Sequence, residues 1–562
     1  MIDIYTLRIK QQLNKLVHPD RASVIGDVAA GVTGAIAGAP QALGFALLAG
    51  VSPLYGLYAA IVPTIAGAIL SPSRFITNAP TNVLMLLVAS GLASLNTENP
   101  VQHLFAMTIL IGLFQIAFGV LKLGGLTRFL SNAVMVGFIV GAGLLIILGQ
   151  LDHMVGYDTH AAAAPILTLW SWFTRLGETI PHTLIIGLFA TLVIYRLHHT
   201  RFKPVATLIA IVITTIWVQA FGWHDVALVS DIAQIPNALP VPIIPDFSQA
   251  IPLLQFAFVT AALASAQSVA LADSMREREP VHISPNREFM AQGIANVLGG
   301  LFQSLPASAS LSRTAVNISA GAKTRMANLL AGVFIAISVL LFGNLLELIP
   351  LAALAGHLIV AALSLIDRTA IKLVWSVSTP ARVTLLVTLI STLVLPLEWS
   401  LILGVGTRVL FYLRETSRDP QVVQLEMNGT YFVERPAPAK LISRQPVIVS
   451  LRDTLNFASI KSLDDFLPDP TGVEAPCVIL RLRNQPTLGS TGIRLLLRYH
   501  AQIQRQGGHL LLSGVLPPLR KELEKSGALA TIGAKNVFFA DDRLFHATEQ
   551  ALYRAQAWLV GL

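Results

Sequence analysis

Leu305-Pro306-Ala307-Ser308-Ala309-Ser310-Leu311-Ser312-Arg313-Thr314 decides how the rest of the chain is read. Arg313 is the only formally charged residue between Glu288 and Lys323, within sequence apolar enough to lie in a bilayer. A charge at the bilayer centre costs roughly 2.5–3.5 kcal/mol on insertion scales, so such residues are rare and mark function. Pro306 and four small residues, Ala307 to Ser310, precede it, which suits a helix that begins in mid-membrane. A helix beginning there presents unpaired N–H groups and the positive end of its dipole to whatever lies in front of it. The stretch therefore predicts an anion site. The alternative is a structural charge that pairs with a neighbour or a backbone carbonyl.

The composition supplies the setting. Of 562 residues, 54% are hydrophobic and 12% charged, with a mean hydropathy of +0.66. Ordinary soluble domains are roughly a quarter charged, so the chain reads as a polytopic membrane protein with room for one soluble domain. The formal net charge of +8 comes from basic residues in short loops between apolar runs, the pattern of membrane orientation and not of nucleic-acid binding. The single cysteine, Cys477, allows neither an internal disulfide nor a cysteine metal cluster. Residues 1–22 are read as a retained cytoplasmic segment: Met1 to Asp20 is polar, holds Arg8, Lys10 and Lys15, and lacks a short apolar core with a cleavage site.

Residues 23–414 hold fourteen apolar runs, near 24–48, 54–70, 77–95, 102–121, 129–150, 182–197, 204–222, 251–272, 288–304, 307–321, 326–346, 350–366, 382–397 and 399–414. A span takes about 17–25 residues. The runs at 77–95 and 307–321 read as half-helices preceded by extended chain. Between 151 and 181, Leu169 to Leu176 could lie flat at the interface. Loop charge tests the count. Arg74, Lys122 and Arg128, Arg196, Arg201 and Lys203, Arg276, Arg278 and Arg287, Lys323 and Arg325, and Arg368, Lys372 and Arg382 fall after even-numbered spans. The opposite loops carry Glu98, Asp152, Asp158, Asp225, Asp231, Asp246, Glu347 and Glu398, with Arg175 as their one basic residue. That alternation predicts both termini in the cytoplasm of a cell-membrane protein. Fourteen divides into seven and seven, and an odd repeat inverts its partner, as in many secondary transporters with a midplane site. The interrupted segments, Asn78-Ala79-Pro80-Thr81-Asn82 and the opening stretch, fall third and tenth.

After the last span, 415–440 is polar, holds Pro436 and Pro438, and is read as a linker. Residues 441–562 read as a soluble α/β domain. Strands are expected at Pro446 to Leu451, Val478 to Leu482, His509 to Leu512 and Val537 to Phe539. Helices are expected at Ile493 to Gln504, Leu516 to Gly527 and Leu544 to Trp558.

Several motifs resemble the sulfate permease (SulP) family of anion transporters, to which mammalian prestin is related. They are Gly26-Asp27-Val28-Ala29-Ala30-Gly31, Ala39-Pro40-Gln41-Ala42-Leu43, and Leu54-Tyr55-Gly56-Leu57-Tyr58 continuing to Pro63. Ala79-Pro80-Thr81-Asn82 and Ser312-Arg313-Thr314-Ala315-Val316-Asn317 continue the match, and the C-terminal part is similar to a STAS domain. The resemblance implies an α-helical membrane domain of fourteen segments in seven-plus-seven inverted repeats, followed by a cytoplasmic STAS domain. It implies a core (spans 1–4 and 8–11) moving against a gate (5–7 and 12–14), in a homodimer. It implies an anion site at Gln41 and Phe45 of the first span, Thr81 of the third, and Ser312 and Arg313 of the tenth. Two stretches depart from the family, one in the eighth span and one in the STAS domain. Gln267 stands where members carry Glu or Asp, and Leu271 where sodium-coupled members carry Thr, which argues against sodium or proton coupling there. Gly489, in Gly489-Ser490-Thr491-Gly492, stands where STAS domains usually carry Asp.

Each residue also has a structural reading. Gln41 could bond between helices, Phe45 could fill a core, and Ser308 and Ser310 read as small packing residues. Gln267 cannot carry a proton and would orient ligand or helices. His357 reads either as a packed neutral histidine or as a proton relay. Asp27 and Glu398 read as interfacial. Ser490 reads as a helix-start serine, with regulatory phosphorylation as the alternative. Nothing in the sequence supports an enzyme or a cofactor. The expected partners are a small anion, the bilayer, a second copy of the chain and a protein that binds the STAS domain. The competing reading is a sensor or scaffold with little flux; nucleobase transporters share the fold but lack a STAS domain.

Overall fold

The computed structural model describes residues 21–95, 100–125, 131–157, 170, 172–200, 202–275, 283–416, 420–429, 431–452, 455 and 457–561. The N-terminal segment and most of 158–171 lie outside this set. The chain divides into two compact units, Met1–Arg408 and Val409–Leu562.

Every expected apolar run contains a helix. They are α1 (Arg21–Leu48), α2 (Pro53–Leu70), α3 (Asn82–Ala93), α4 (Pro100–Val120), α5 (Asn132–Gly149), α6 (Pro181–His198) and α7 (Ala206–Phe221), then α8 (Ala250–Ser274), α9 (Pro285–Leu301), α10 (Leu311–Ser319), α11 (Met326–Leu346), α12 (Leu351–Leu365), α13 (Thr379–Val394) and α14 (Leu397–Thr416). Among the described residues, nine helices are long and apolar enough to cross a membrane, and α3 and α13 are shorter apolar ones. Between α12 and α13 the expected loop is instead helical. Arg368–Val377 is a separate amphipathic helix, capped by Asp367 Oδ1, which accepts from Thr369 N (2.8 Å) and Ala370 N (3.2 Å). In the sequence, Arg368 and Lys372 mask its periodicity.

The helices pack in two groups. Pairs α4–α9, α1–α11, α2–α11, α2–α9 and α4–α8 join α1–α4 to α8–α11, whereas α5–α13, α6–α12, α5–α12 and α6–α7 join α5–α7 to α12 and α13. Adding seven to each helix number turns α4–α9 into α11–α2, α1–α11 into α8–α4 and α5–α13 into α12–α6, with numbers past fourteen restarting at one. The packing thus carries the repeat that sequence similarity left faint. The backbones of α4 and α9 approach closely from both sides. A Cβ on Gly112 would lie 2.5 Å from the Gly293 carbonyl oxygen, and one on Gly293 would lie 2.6 Å from that of Gly112. Only glycine allows that backbone contact, the usual device of helices in lipid.

In the second unit six strands run in the order β4-β3-β5-β6-β7-β8: β3 Val422–Asn428, β4 Tyr431–Pro436, β5 Pro446–Leu451, β6 Cys477–Arg481, β7 His509–Val515 and β8 Val537–Phe539. The last four are mutually parallel, and β3 is antiparallel to β4 and β5. Val447, Val449 and Leu451 face α15 (Gly489–Arg505), whereas Ile448, Ile479 and Leu511 face α17 (His546–Val560); α16 is Pro517–Lys525. Burial on both faces explains why these strands read as continuous apolar runs. The stretch 415–440, expected as a linker, instead holds the β3–β4 hairpin. Its turn begins at Gly429, at φ +65°, the left-handed conformation that glycine supplies at the first central position of such turns.

Candidate functional site

Two short strands place the site. β1 (Asn78–Ala79) pairs antiparallel with β2 (Ser308–Ala309), in the register Asn78 to Ala309 and Ala79 to Ser308. Each strand leads within a few residues into a half-helix, α3 or α10. The antiparallel register sends the two helices away from the crossing in opposite senses, with their N-termini beside it. At 12 and 9 residues, with a rise of about 1.5 Å per residue, neither alone crosses a hydrocarbon layer of about 30 Å.

The crossing hangs on buried side-chain amides. Gln115 Nε2 donates to Gln292 Oε1 (2.5 Å), and Asn296 Nδ2 donates to Gln115 Oε1 (2.7 Å). Gln292 Nε2 donates to Asn78 Oδ1 (3.2 Å) and to Ser268 Oγ (2.9 Å). Asn296 brackets Ala307, donating to its carbonyl (2.9 Å) and accepting from its N–H (2.8 Å). Thr64 Oγ1 donates to the Asn78 carbonyl (2.7 Å), and the Thr77 N–H to Thr314 Oγ1 (3.0 Å). Extended backbone at membrane depth must find such partners, since hydrocarbon offers none.

Both helix starts keep open donors. Thr81 is the N-cap of α3 but makes no side-chain cap bond. Ser310 is the N-cap of α10, and its Oγ accepts from the Arg313 N–H at 3.4 Å. By helix geometry the N–H groups of Asn82, Val83 and Leu84, and of Leu311 and Ser312, have no intrahelical acceptor. Each helix start carries about half a positive charge. Between them Thr81 Oγ1 lies 3.4 Å from Ser308 Oγ, and Ser308 Oγ donates to Gln267 Oε1 at 3.1 Å. Ser312 Oγ lies 3.4 Å from Ser310 Oγ. Ser308 and Ser310, expected only to pack, are therefore a link and a cap.

Arg313 is 5% exposed. Its Nη2 donates to the Gly34 carbonyl at 3.3 Å, and among the described residues no carboxylate lies within ion-pair distance of it. The guanidinium rests on α1 at Gly38, where a Cβ would stand 2.1 Å from Nη2. Gly34, Gly38, Gln41 and Phe45 recur at helical spacing and so share one face of α1. Gln41 Oε1 is buried without a hydrogen-bond partner. Phe45, 6% exposed, belongs to the apolar cluster that includes Leu84, Val259 and Leu305. The structure thus links Thr81 to Gln267 through Ser308, and sets Arg313 on the face of α1 that carries Gln41 and Phe45.

His357 stands apart. It lies on α12, 4% exposed, its Nδ1 3.0 Å from Thr207 Oγ1 of α7 and its Nε2 without a partner. Asp27 and Glu398, expected at the interface, are 2% and 4% exposed. Asp27 Oδ1 accepts from Lys323 N (2.7 Å) and Thr324 N (2.9 Å), and Glu398 Oε2 accepts from Ser90 Oγ (3.3 Å). In the second unit Gly489 opens α15 at φ +64°, a left-handed backbone that glycine adopts without strain, and Ser490 follows it exposed. Sequence reasoning missed the amide network and the Gly38 seat. Its available signal was the run of Gln115, Gln292 and Asn296 inside apolar spans.

The sulfate permease family model matches residues 24–388 and the STAS domain model matches residues 437–549. "Sulfate transporter 4.1, chloroplastic" of Arabidopsis thaliana is 27% identical over 557 residues, covering 94% of this chain and 80% of that protein. "Putative sulfate transporter YbaR" of Bacillus subtilis (strain 168) is 27% identical over 397 residues, 70% of this chain and 77% of that one. Among solved structures, the murine Solute Carrier 26 family member A9 anion transporter in the inward-facing state superposes with a TM-score of 0.85 at 20% identity, over 98% of this chain and 94% of that one. The transmembrane domain of a cyanobacterium bicarbonate transporter, BicA, superposes with a TM-score of 0.60 at 24% identity, over 70% of this chain and 98% of that one. At these identities the two structures speak for the fold alone.

Proposed function

The chain belongs to the sulfate permease family, and from that premise we propose that it carries small anions of the sulfate, bicarbonate, chloride or dicarboxylate class across the cell membrane by elevator-like alternating access. One observation carries the reading: the antiparallel crossing of β1 and β2 sets two helix N-termini with open donors close to a buried arginine that has one carbonyl partner. An oxyanion between the helix starts satisfies those N–H groups and balances the guanidinium, with Gln41, Thr81 and Ser312 as further donors and Phe45 closing the apolar side. Everything in this constellation lies on α1, α3, α8 and α10, all in one packing group. A group that slides as a body against α5–α7 and α12–α14 takes the site with it.

Energetics limits the mode. Moving one charge across 100 mV is worth about 2.3 kcal/mol, so unassisted uptake of a monovalent anion into a negative interior settles roughly fiftyfold below the outside level. Gln267 accepts from Ser308 and supplies no proton. Exchange against a second anion therefore fits best, with proton-linked uptake through His357 or a protonated substrate as the other route and an uncoupled conductance as the alternative. The functional unit is a homodimer with both termini cytoplasmic.

The test is flux of labelled sulfate, bicarbonate, chloride and fumarate into proteoliposomes, with and without a trapped counter-anion or a pH gradient. Trans-stimulated uptake of at least one is expected. No movement of any of them would overturn the reading.

A further inference from the structure

A second feature of the membrane unit is a crevice of about 520 Å³ between α1, α7 and α11. Its walls are apolar: Ala35, Ile36 and Ala39 of α1, Ile211 of α7, Ile335 and Val339 of α11. Two side-chain hydroxyls line it. Ser338 Oγ is taken by the Phe334 carbonyl at 2.8 Å, and Thr215 Oγ1 is buried without a partner. Buried water needs two to four polar partners, and one free hydroxyl cannot hold a charged or strongly polar ligand. What fills this space is apolar.

The rim identifies the occupant. Val32, Val212, Ile216 and Phe342 line the crevice and are 40%, 45%, 62% and 51% exposed. In a membrane-spanning chain, exposed apolar residues at mid-helix face hydrocarbon, so the medium at the mouth is lipid and not water. The length agrees. The α11 wall runs from Phe334 to Leu346, about 18 Å at the rise of an α-helix. One leaflet of hydrocarbon is about 15 Å deep, half of a core of about 30 Å.

We propose that this crevice holds one acyl chain of a membrane phospholipid. The chain lies between the two packing groups, with α1 and α11 on one side and α7 on the other. Ala35 and Ala39 face it, while their neighbours Gly34 and Gly38 seat Arg313. Hydrocarbon there keeps the seam filled while leaving α7 free of directional bonds to α1, and it sets the position of the helix that carries the Arg313 seat.

The experiment reads binding directly and does not depend on transport. The whole protein is reconstituted with a phospholipid bearing a diazirine midway along one acyl chain, illuminated, digested and mapped by mass spectrometry. Adducts on Ala35 to Ala39 and on Ile335 to Val339 are expected several-fold above those on Leu188 and Leu192 of α6, which are each 54% exposed and serve as ordinary lipid contacts. Thr215→Phe with Ser338→Phe should return the inner positions to the α6 level, and Thr215→Leu should lower them part-way. Inner-wall labelling in the wild type no higher than on α6 overturns the proposal whether or not the filled variants fold. Labelling by a diazirine free fatty acid but not by the phospholipid also overturns it, as does labelling that the filled variants leave unchanged.

Discussion

Arg313→Ala separates an anion site from a structural charge, because the two readings predict opposite patterns of stability. As a structural charge, Arg313 would hold α10 to α1, yet among the described residues its side chain makes one bond, a 3.3 Å contact to a helix carbonyl. A buried guanidinium without a carboxylate is itself a cost of several kcal/mol before any bond is counted. Removing it should leave the anion-free protein as stable as before or more so. As a ligand group it makes a charge-assisted bond worth about 1.5–3 kcal/mol, so the variant should bind sulfate about 10- to 150-fold more weakly, at about 1.4 kcal/mol per tenfold. At a sulfate concentration of about 100 times the wild-type Kd, ligand linkage stabilises wild type by about 2.7 kcal/mol and the variant by only about 0.3–1.4 kcal/mol. Thermal unfolding in detergent with and without sulfate, alongside the KM of uptake, measures both. Arg313→Lys keeps the charge but not the planar fork and should fall between. An undiminished sulfate shift in Arg313→Ala, or loss of stability without sulfate, would refute the reasoning.

Gly38→Ala should approach Arg313→Ala in sulfate affinity, since its Cβ would stand 2.1 Å from Nη2 and displace the guanidinium; in the double variant the losses should not add, as isothermal titration would show. Asn296→Ala strips the Ala307 N–H and carbonyl of their side-chain partner, at about 1–3 kcal/mol for each buried group left unpaired, and should lower the unfolding temperature with and without sulfate alike. Gln267→Glu can still accept from Ser308. Protonated it resembles glutamine and should carry sulfate like wild type at low pH, whereas the ionised form repels the anion, so flux should fall relative to wild type as pH rises through its titration. In the second unit, burial pushes the Cys477 thiol up to about 12. Maleimide should therefore label it slowly at neutral pH and rapidly only as that unit unfolds, giving a one-cysteine reporter of its stability.

The helices were legible because hydrophobic run length is a property of consecutive residues, and the lone charge at Arg313 stood out against them. The opposing segment at Asn78 to Asn82 was reached by counting spans, and β-pairing with Ser308–Ala309 is the contact which that count required. What escaped depends on residues far apart in sequence. Asn78 and Gln292 meet across 214 positions, Gln115 and Asn296 across 181. A single amide in an apolar run says only that a partner exists. The β3–β4 hairpin was missed for another reason. Averaging composition over 415–440 buried the alternation of Val423, Leu425 and Met427 and the turn signal of Gly429 between the strands.

The amide network bears on the mechanism as well as the fold. Asn78 and Ala307, which position the two half-helices, are bonded to Gln292 and Asn296 of α9, and Gln115 of α4 closes the set. Breaking these bonds as the chain moves would strand buried donors at about 1–3 kcal/mol each. The helices that meet at the crossing are thus far costlier to separate from α4 and α9 than to slide along an apolar seam. The same polar bonds that let extended chain exist at membrane depth would, under the alternating access proposed above, make the site a rigid passenger. The proposed motion would then take place at a boundary that carries few such bonds, and the boundary between α1, α11 and α7, lined by apolar side chains and two hydroxyls, has that character.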